Sequence, residues 1–382
     1  MRTFLYAIGR YLKQTDRTLL LATLVAAGFG LLLVYSATQG SGRLFVTQTL
    51  GIIIGCAVMI VVSKIDYHDM ADAWKWIAII SVLLFTLTLL IGSSRAGSQD
   101  RAWIRIGSNT IQPAEFIKAA FVITFAKHYD LIKERIDSPR QVLLLTLHGL
   151  VPIVFLILQR DMGMMLVFTL MFVCMMFMAN VKLRYFAIAG LTLLISFPFL
   201  WSKILGATQK NRILALFDPV KYATDAYQQT QGRLAIGSGE LFGYGLFHGP
   251  ITQGPSYLLP EKQNDMIFAV AGEELGVVGC LLILVIFALL LIRILGDARK
   301  AKDSMGAVVC IGIFASFAVQ MAVNISAALM VFPITGISLP FFSSGGSSIV
   351  SCFVAIGLVL SVYMYRNTQL FAENGSPRPV RK

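Results

Sequence analysis

The stretch Y-L-L-P-E-K-Q-N-D-M-I-F-A-V-A-G-E-E-L-G-V-V-G, residues 257–279, decides how this chain is read. Its polar half ends at Asp265. An apolar run starts at Met266 and is broken at Glu273 and Glu274 before it resumes. Asp265 therefore sits where a water-facing loop enters a membrane helix. A carboxylate at the edge of hydrocarbon is costly to desolvate, a setting that suits a proton acceptor. The same position suits a helix N-cap, for which Asp is a preferred residue, and Asn264 is a second candidate for that cap. Both readings stay open at this level.

The composition sets the class. Of the 382 residues, 57% are hydrophobic and 14% charged. Mean hydropathy is +0.75. Repeated apolar runs of about twenty residues read as a polytopic α-helical membrane protein. Barrel strands would alternate apolar and polar residues, and these runs do not. Cys56, Cys174, Cys280, Cys310 and Cys352 all lie in apolar runs without metal-ligand spacing, so they read as small buried residues.

The expected fold is all-α, with about ten transmembrane helices near 18–38, 45–63, 74–92, 113–129, 142–159, 162–180, 184–201, 265–294, 305–331 and 344–365. Residues 1–17 form a basic amphipathic segment, with Phe4, Leu5, Ile8, Tyr11 and Leu12 at helical spacing. Residues 18–366 are the membrane domain and 367–382 a tail. Three stretches read as non-helical: 93–112, the long 202–264 between helices seven and eight, and 332–343. Most of the 32 Lys and Arg fall on the side of the two termini, many in short loops. The positive-inside rule then makes both termini cytoplasmic and all three stretches extracytoplasmic. The net charge of +12 is mainly a consequence of topology, so nucleic acid is not an expected partner.

Polar motifs gather on that outer face. Q-P-A-E-F-I-K (112–118) opens the fourth helix with Pro113 in its first turn. Glu115 and Lys118, three apart, share a face and can pair, either as a structural ion pair or as functional groups. The preceding loop carries Arg95, Arg101 and Arg105 around Trp103, a pattern for phosphate groups or anionic headgroups. Q-R-D-M-G (159–163) sets Asp161 in a tight turn. The long loop is basic and glycine-rich, with Arg212 and the run A-I-G-S-G-E (235–240), which includes Ser238. L-P-F-F-S-S-G-G-S-S (339–348) leads into the last helix. Its Ser343, Gly345 and Gly346 suit either a backbone anion site or an ordinary cap.

In this order, these segments resemble the SEDS family (RodA, FtsW and SpoVE) over about residues 17–366. Departures are local. The family often reads H-T-D where this chain has Gln263, Asn264 and Asp265. It often reads Q-P-D-L-G-T at 159–164, and some members carry a further acid at the position of Tyr257. The resemblance implies a bacterial plasma-membrane peptidoglycan glycosyltransferase for elongation, division or sporulation. Its substrate would be lipid II, polymerised at the outer leaflet, and its partner a class B penicillin-binding protein. The family's essential aspartate falls on Asp265 and its charged pair on Glu115 and Lys118. On that reading Asp265 is the general base. Lys118, Arg101, Arg105 and Arg212 are the candidates to offset charge on the departing diphosphate, and Ser238 and Ser343 to face substrate. Glu115 would hold Lys118 or bind a divalent cation. Asp161, Glu261, Gly345 and Gly346 are supporting residues. No cofactor is implied with certainty. The rivals are a lipid II flippase, which needs a polar path through the whole membrane, and a non-catalytic scaffold for the penicillin-binding protein. Polar residues crowd the outer halves of the helices, which favours an enzyme.

Overall fold

The computed structural model describes residues 2–94, 100–107 and 109–366. Arg95 and the 367–382 tail lie outside them. The chain is a helical bundle with one small hairpin. Its helices are α1 (Arg2–Gln14), α2 (Arg17–Ala37), α3 (Gly42–Lys64), α4 (Tyr67–Asp72), α5 (Trp74–Ile91), α6 (Pro113–Ile132) and α7 (Pro139–Gln159). They continue with α8 (Met162–Met178), α9 (Leu183–Phe199), α10 (Ala207–Leu214), α11 (Ala223–Ser238), α12 (Ile267–Arg299), α13 (Ser304–Ala328) and α14 (Gly346–Met364). Strands β1 (Ile104–Ile106) and β2 (Asn109–Ile111) pair antiparallel, Arg105 opposite Thr110.

Among the described residues, 8 helices are long and apolar enough to cross a membrane: α2, α3, α5, α7, α9 with its π-helical extension, α12, α13 and α14. Helix α8 is apolar but has 17 residues. Helix α6 has 20 and carries Glu115 and Lys118 within its apolar sequence. Helix α13 is the axis of the core, packed against α6, α8, α12 and α14. Most apolar side chains of α5 and α9 face outward, as in lipid-facing spans, with Phe85 of α5 buried in the core. All five cysteines are free; Cys310 and Cys352 are buried.

Helix starts follow local chemistry. Asp16 caps α2, accepting from the amides of Thr18 and Leu19 at 2.9 and 3.1 Å. Asp303 caps α13 through Gly306 N–H at 2.8 Å. Asp161 caps α8 through Met164 N–H at 2.9 Å, so the turn chemistry expected of it is present.

Segment 202–264 is not the non-helical loop that hydropathy predicts. It holds α10 and α11. Helix α11 buries Ala226, Gln229, Gly232 and Ala235, a stripe of small and polar residues at 3-residue spacing. Such a stripe has almost no hydropathy signal, because it packs by close approach rather than by apolar area. The 93–112 stretch likewise contains the β-hairpin.

Helix α12 is broken at Gly276, whose φ of 66° and ψ of −159° are closed to other residues. The break frees backbone groups, and the 239–245 loop satisfies them. Tyr244 and Gly245 N–H donate to the carbonyls of Glu273 and Glu274 at 3.0 and 2.9 Å. Val277 and Val278 N–H donate to Glu240 and Leu241 carbonyls at 2.9 and 3.2 Å. Irregular backbone at such a depth persists only when protein covers it in this way.

Candidate active site around Asp265

Helix α12 begins at Ile267 with Met266 in the cap position, so Asp265 stands one residue outside it. The capping role open to Asp265 in the sequence is thus not its position in the fold. Its segment is instead held by backbone contacts from two directions. Asn324 of α13 donates its side-chain amide to the Asp265 carbonyl at 2.9 Å and to the Ile337 carbonyl at 2.8 Å. Ser343 Oγ–H donates to the Asn264 carbonyl at 2.6 Å and accepts from Leu339 N–H at 2.7 Å. Ser344 N–H donates to the Gln263 carbonyl at 2.8 Å. Gln48, buried on α3, ties this loop down in turn. Its amide donates to Ser343 O at 3.2 Å and accepts from Gly345 N–H at 3.1 Å. Asp265 itself is half-buried. Its Oδ2 faces Gly336, 3.9 Å from where a Cβ on that glycine would sit.

Two cavities lie near this segment, and Asp265 is in the lining of neither. The larger, about 580 Å³, lies beside the C-terminal end of α2 and the N-terminal end of α3 and is lined by Gln263, two residues before Asp265. The smaller, about 270 Å³, lies between α8, α10 and residues 332–335. Asp100, Arg160, Asp161 and Arg212 line it. Arg212 Nη1 donates to Ile334 O at 3.3 Å, so its guanidinium is fixed at the wall. Gln112 amide donates to Asp161 Oδ2 at 2.8 Å, and burial pushes the Asp161 carboxyl up to about 6.

Glu115 and Lys118 form the expected ion pair, at 2.8 Å. Both are buried. Lys118 Nζ also donates to Gln320 Oε1 at 2.9 Å, and Ser351 Oγ–H donates to Glu115 Oε2 at 3.1 Å. The Lys118 and Ser351 contacts are both on Glu115 Oε2, so of the two roles expected of Glu115 the holding of Lys118 is the one seen. The pair reaches the Asp265 segment through α13: Gln320 and Asn324 are 4 residues apart and so share one helix face.

The remaining sequence-derived residues are more dispersed. Arg101 and Arg105 are exposed on the hairpin side, with Arg101 N–H donating to Gln159 O at 2.9 Å. Ser238 ends α11, its hydroxyl donating to Ala235 O at 2.9 Å. Glu261, in a left-handed conformation with φ 53°, accepts from the Asn264 side chain and closes the turn before Asp265. Gly345 caps α14 and Gly346 opens it.

Sequence reasoning missed Gln48, Gln320 and Asn324, because polar residues within apolar helices signal only that they need a partner. It also passed over Glu273 and Glu274 as mere interruptions. Both are fully buried. Glu273 accepts from Ile251 N–H at 2.9 Å and Thr252 N–H at 2.6 Å. Glu274 accepts from Ser36 Oγ–H at 2.5 Å and Gln253 Nε2–H at 2.6 Å. They anchor the 247–253 loop to the bundle.

Residues 17–368 match the sequence pattern of the FtsW/RodA/SpoVE cell cycle proteins. The chain belongs to this family. It is 34% identical to stage V sporulation protein E of Bacillus subtilis, over 92% of this chain and 98% of that protein. It is 31% identical to the probable peptidoglycan glycosyltransferase FtsW of the same organism, over 94% and 93%. A solved chain from a study of polymerisation and crosslinking by a peptidoglycan synthase complex shares the fold. The TM-score is 0.78 at 24% identity, with 92% of this chain and 98% of that one covered.

Proposed function

We propose that this membrane protein is a peptidoglycan glycosyltransferase that polymerises lipid II at the outer leaflet, with Asp265 as general base. Ten membrane-crossing helices, with α6 and α8 among them, and cytoplasmic termini would put Asp265 and both cavities on the outer side. The observation that carries the reading is the placement of Asp265: a half-buried carboxylate on a segment clamped through its carbonyls, two residues after Gln263 in the wall of one cavity. Similarity to the relative named as a peptidoglycan glycosyltransferase supports the reaction class.

The acceptor hydroxyl gives its proton to Asp265 as its oxygen attacks the anomeric carbon of the donor. The bond from that carbon to the diphosphate breaks, and the polyprenyl diphosphate departs with the electron pair. An attack on the face opposite the leaving group inverts the sugar. Charge on the diphosphate is met by cations at the smaller cavity, Arg212 and Arg160 first. Arg101 and Arg105 would meet the headgroup at the rim. Lys118, buried and paired, acts through Gln320 and α13 on the position of Asp265 rather than on the diphosphate. A class B penicillin-binding protein is the proposed partner that crosslinks the product.

The test is Asp265→Asn in the purified protein–partner complex, assayed with labelled lipid II for polymer and for translocation. Polymer should fall by about 10²–10⁴, the range for loss of a general base. Wild-type polymer yield from the variant would withdraw the assignment.

A further inference from the structure

Asp297 is a buried acid that the candidate site does not use. It lies in the last turn of α12, at the end of that helix away from Asp265, and is 1% exposed. Among the described residues, no group donates a hydrogen bond to either of its carboxyl oxygens. A carboxylate held out of water without a donor is very costly. Its place in the last turn adds to the cost, because the free carbonyls of a helix C-terminus repel negative charge.

The neighbouring acid shows how Asp297 is tolerated. Arg293 precedes it by one helical turn, on the same face of α12. Arg293 Nε donates to Asp16 Oδ2 at 2.9 Å, and Nη2 donates to the same oxygen. Asp16 Oδ1 accepts from the amides of Thr18 and Leu19. Asp16 is therefore surrounded by donors and held as the anion. The Asp297 side chain meets this same carboxylate. Two carboxyl groups bond to one another only when one of them carries a proton, and the group without other donors is Asp297. The further titratable groups facing Asp297 are Arg293 and Lys300 of α12 and Cys310 of α13, with Tyr363 of α14 next to Arg293. Arg293 is committed to Asp16, and Lys300 is exposed.

We propose that Asp297 is a protonated carboxylic acid that donates to Asp16, and that this proton is a latch between α12 and the start of α2, opened as pH rises. Loss of the proton leaves two carboxylates in contact beside one guanidinium. Their repulsion falls on Asp16, which caps α2 and follows the buried Thr15 at the junction with α1. The first turn of α2 then opens. In the opened form Asp297 meets water and ionises near 3.9, as an ordinary aspartate does. From about pH 5 upward the closed form therefore holds one proton more, and opening gains up to about tenfold per pH unit until the closed form also loses it.

The test uses the full chain in nanodiscs, with two readouts. The infrared difference spectrum of wild type against Asp297→Asn should contain a carboxylic acid C=O band at about pH 6, well above the ordinary aspartate range. Hydrogen exchange at the Thr18 and Leu19 amides, corrected for the intrinsic rate, should rise at least about tenfold from pH 5 to 7 in wild type. It should stay level in Asp297→Asn, whose amide donates to Asp16 without titrating, and in Asp297→Leu, which serves if the first variant does not fold. Cys310→Ala should behave as wild type does. Absence of the acid band, level exchange in wild type, or a pH-dependent rise that persists in the folded Asp297 variants would overturn the latch. Loss of the rise in Cys310→Ala would assign the proton to the thiol and overturn it as well.

Discussion

Asn324 holds the backbone carbonyl of Asp265 with one amide hydrogen and that of Ile337 with the other. One side chain on the central helix thus fixes the spacing between the candidate base and the loop across from it. A leucine of similar volume leaves both carbonyls without this donor. We expect Asn324→Leu to lower stability by about 1–3 kcal/mol, the cost of buried polar groups left unpaired. Polymerisation at matched protein amount should fall at least tenfold. Folded protein with full activity would show that the clamp does not set the geometry of Asp265.

Lys118 and Glu115 make a second, independent prediction. Lys118→Ala leaves a buried carboxylate facing a vacated site, a change that typically costs about 3–5 kcal/mol. The double variant Glu115→Gln with Lys118→Met removes both charges and should recover most of the lost stability, read as thermal unfolding in detergent. It should not recover full polymerisation, because the link from Lys118 to Gln320 is gone. Recovery of activity together with stability would reduce the pair to a packing device.

The broken helix yields a third. A Cβ on Gly243 would lie 2.2 Å from the Glu274 carbonyl oxygen, and φ there is 73°. Gly243→Ala should cost more than about 1 kcal/mol, since the native conformation is closed to alanine. Gly237→Ala, in open space within α11, should leave stability within about 1 kcal/mol of wild type or raise it. Equal melting temperatures for the two variants would contradict the intercalated loop.

A fourth concerns pH on the opposite side of the bundle. His68 of α4 lies between Asp303 at 2.6 Å and Asp66 at 2.9 Å. Its hydrogen bonds to Asp303 and then to Asp66 push its pKa up to about 9. Burial works against ionisation of Asp303, yet the hydrogen bond from His68 prevails and holds it at about 2. Tyr67 also donates to Asp303, and Lys302 acts on Asp66. A histidine with a raised folded-state pKa stabilises fully below its unfolded value near 6.5, and that contribution is lost as pH rises through about 9. Wild type should therefore lose stability relative to His68→Gln between about pH 6.5 and 9. Parallel melting curves across that window would refute the clamp.

The sequence by itself determined the class, most of the helices and the identity of the chemically marked residues. Long apolar runs have no soluble alternative, so α2, α12, α13 and α14 were legible from hydropathy alone. The Glu115–Lys118 pair was legible because three-residue spacing on a helix puts both on one face. Asp265 was legible as a carboxylate at a membrane boundary. Whether it caps the helix was not, because that depends on where the helix starts to within one residue. Tertiary structure decided that start, at Ile267. It also decided the partners of Gln48, Gln320 and Asn324, the break at Gly276 and the burial of Glu273 and Glu274. Each is a contact between residues far apart in the chain: Gln48 with Ser343, Lys118 with Gln320, Ser36 with Glu274. Local spacing and hydropathy carry information over one or two helical turns. The pairing of polar groups inside a membrane bundle is fixed by which helices become neighbours, and only the folded chain sets that.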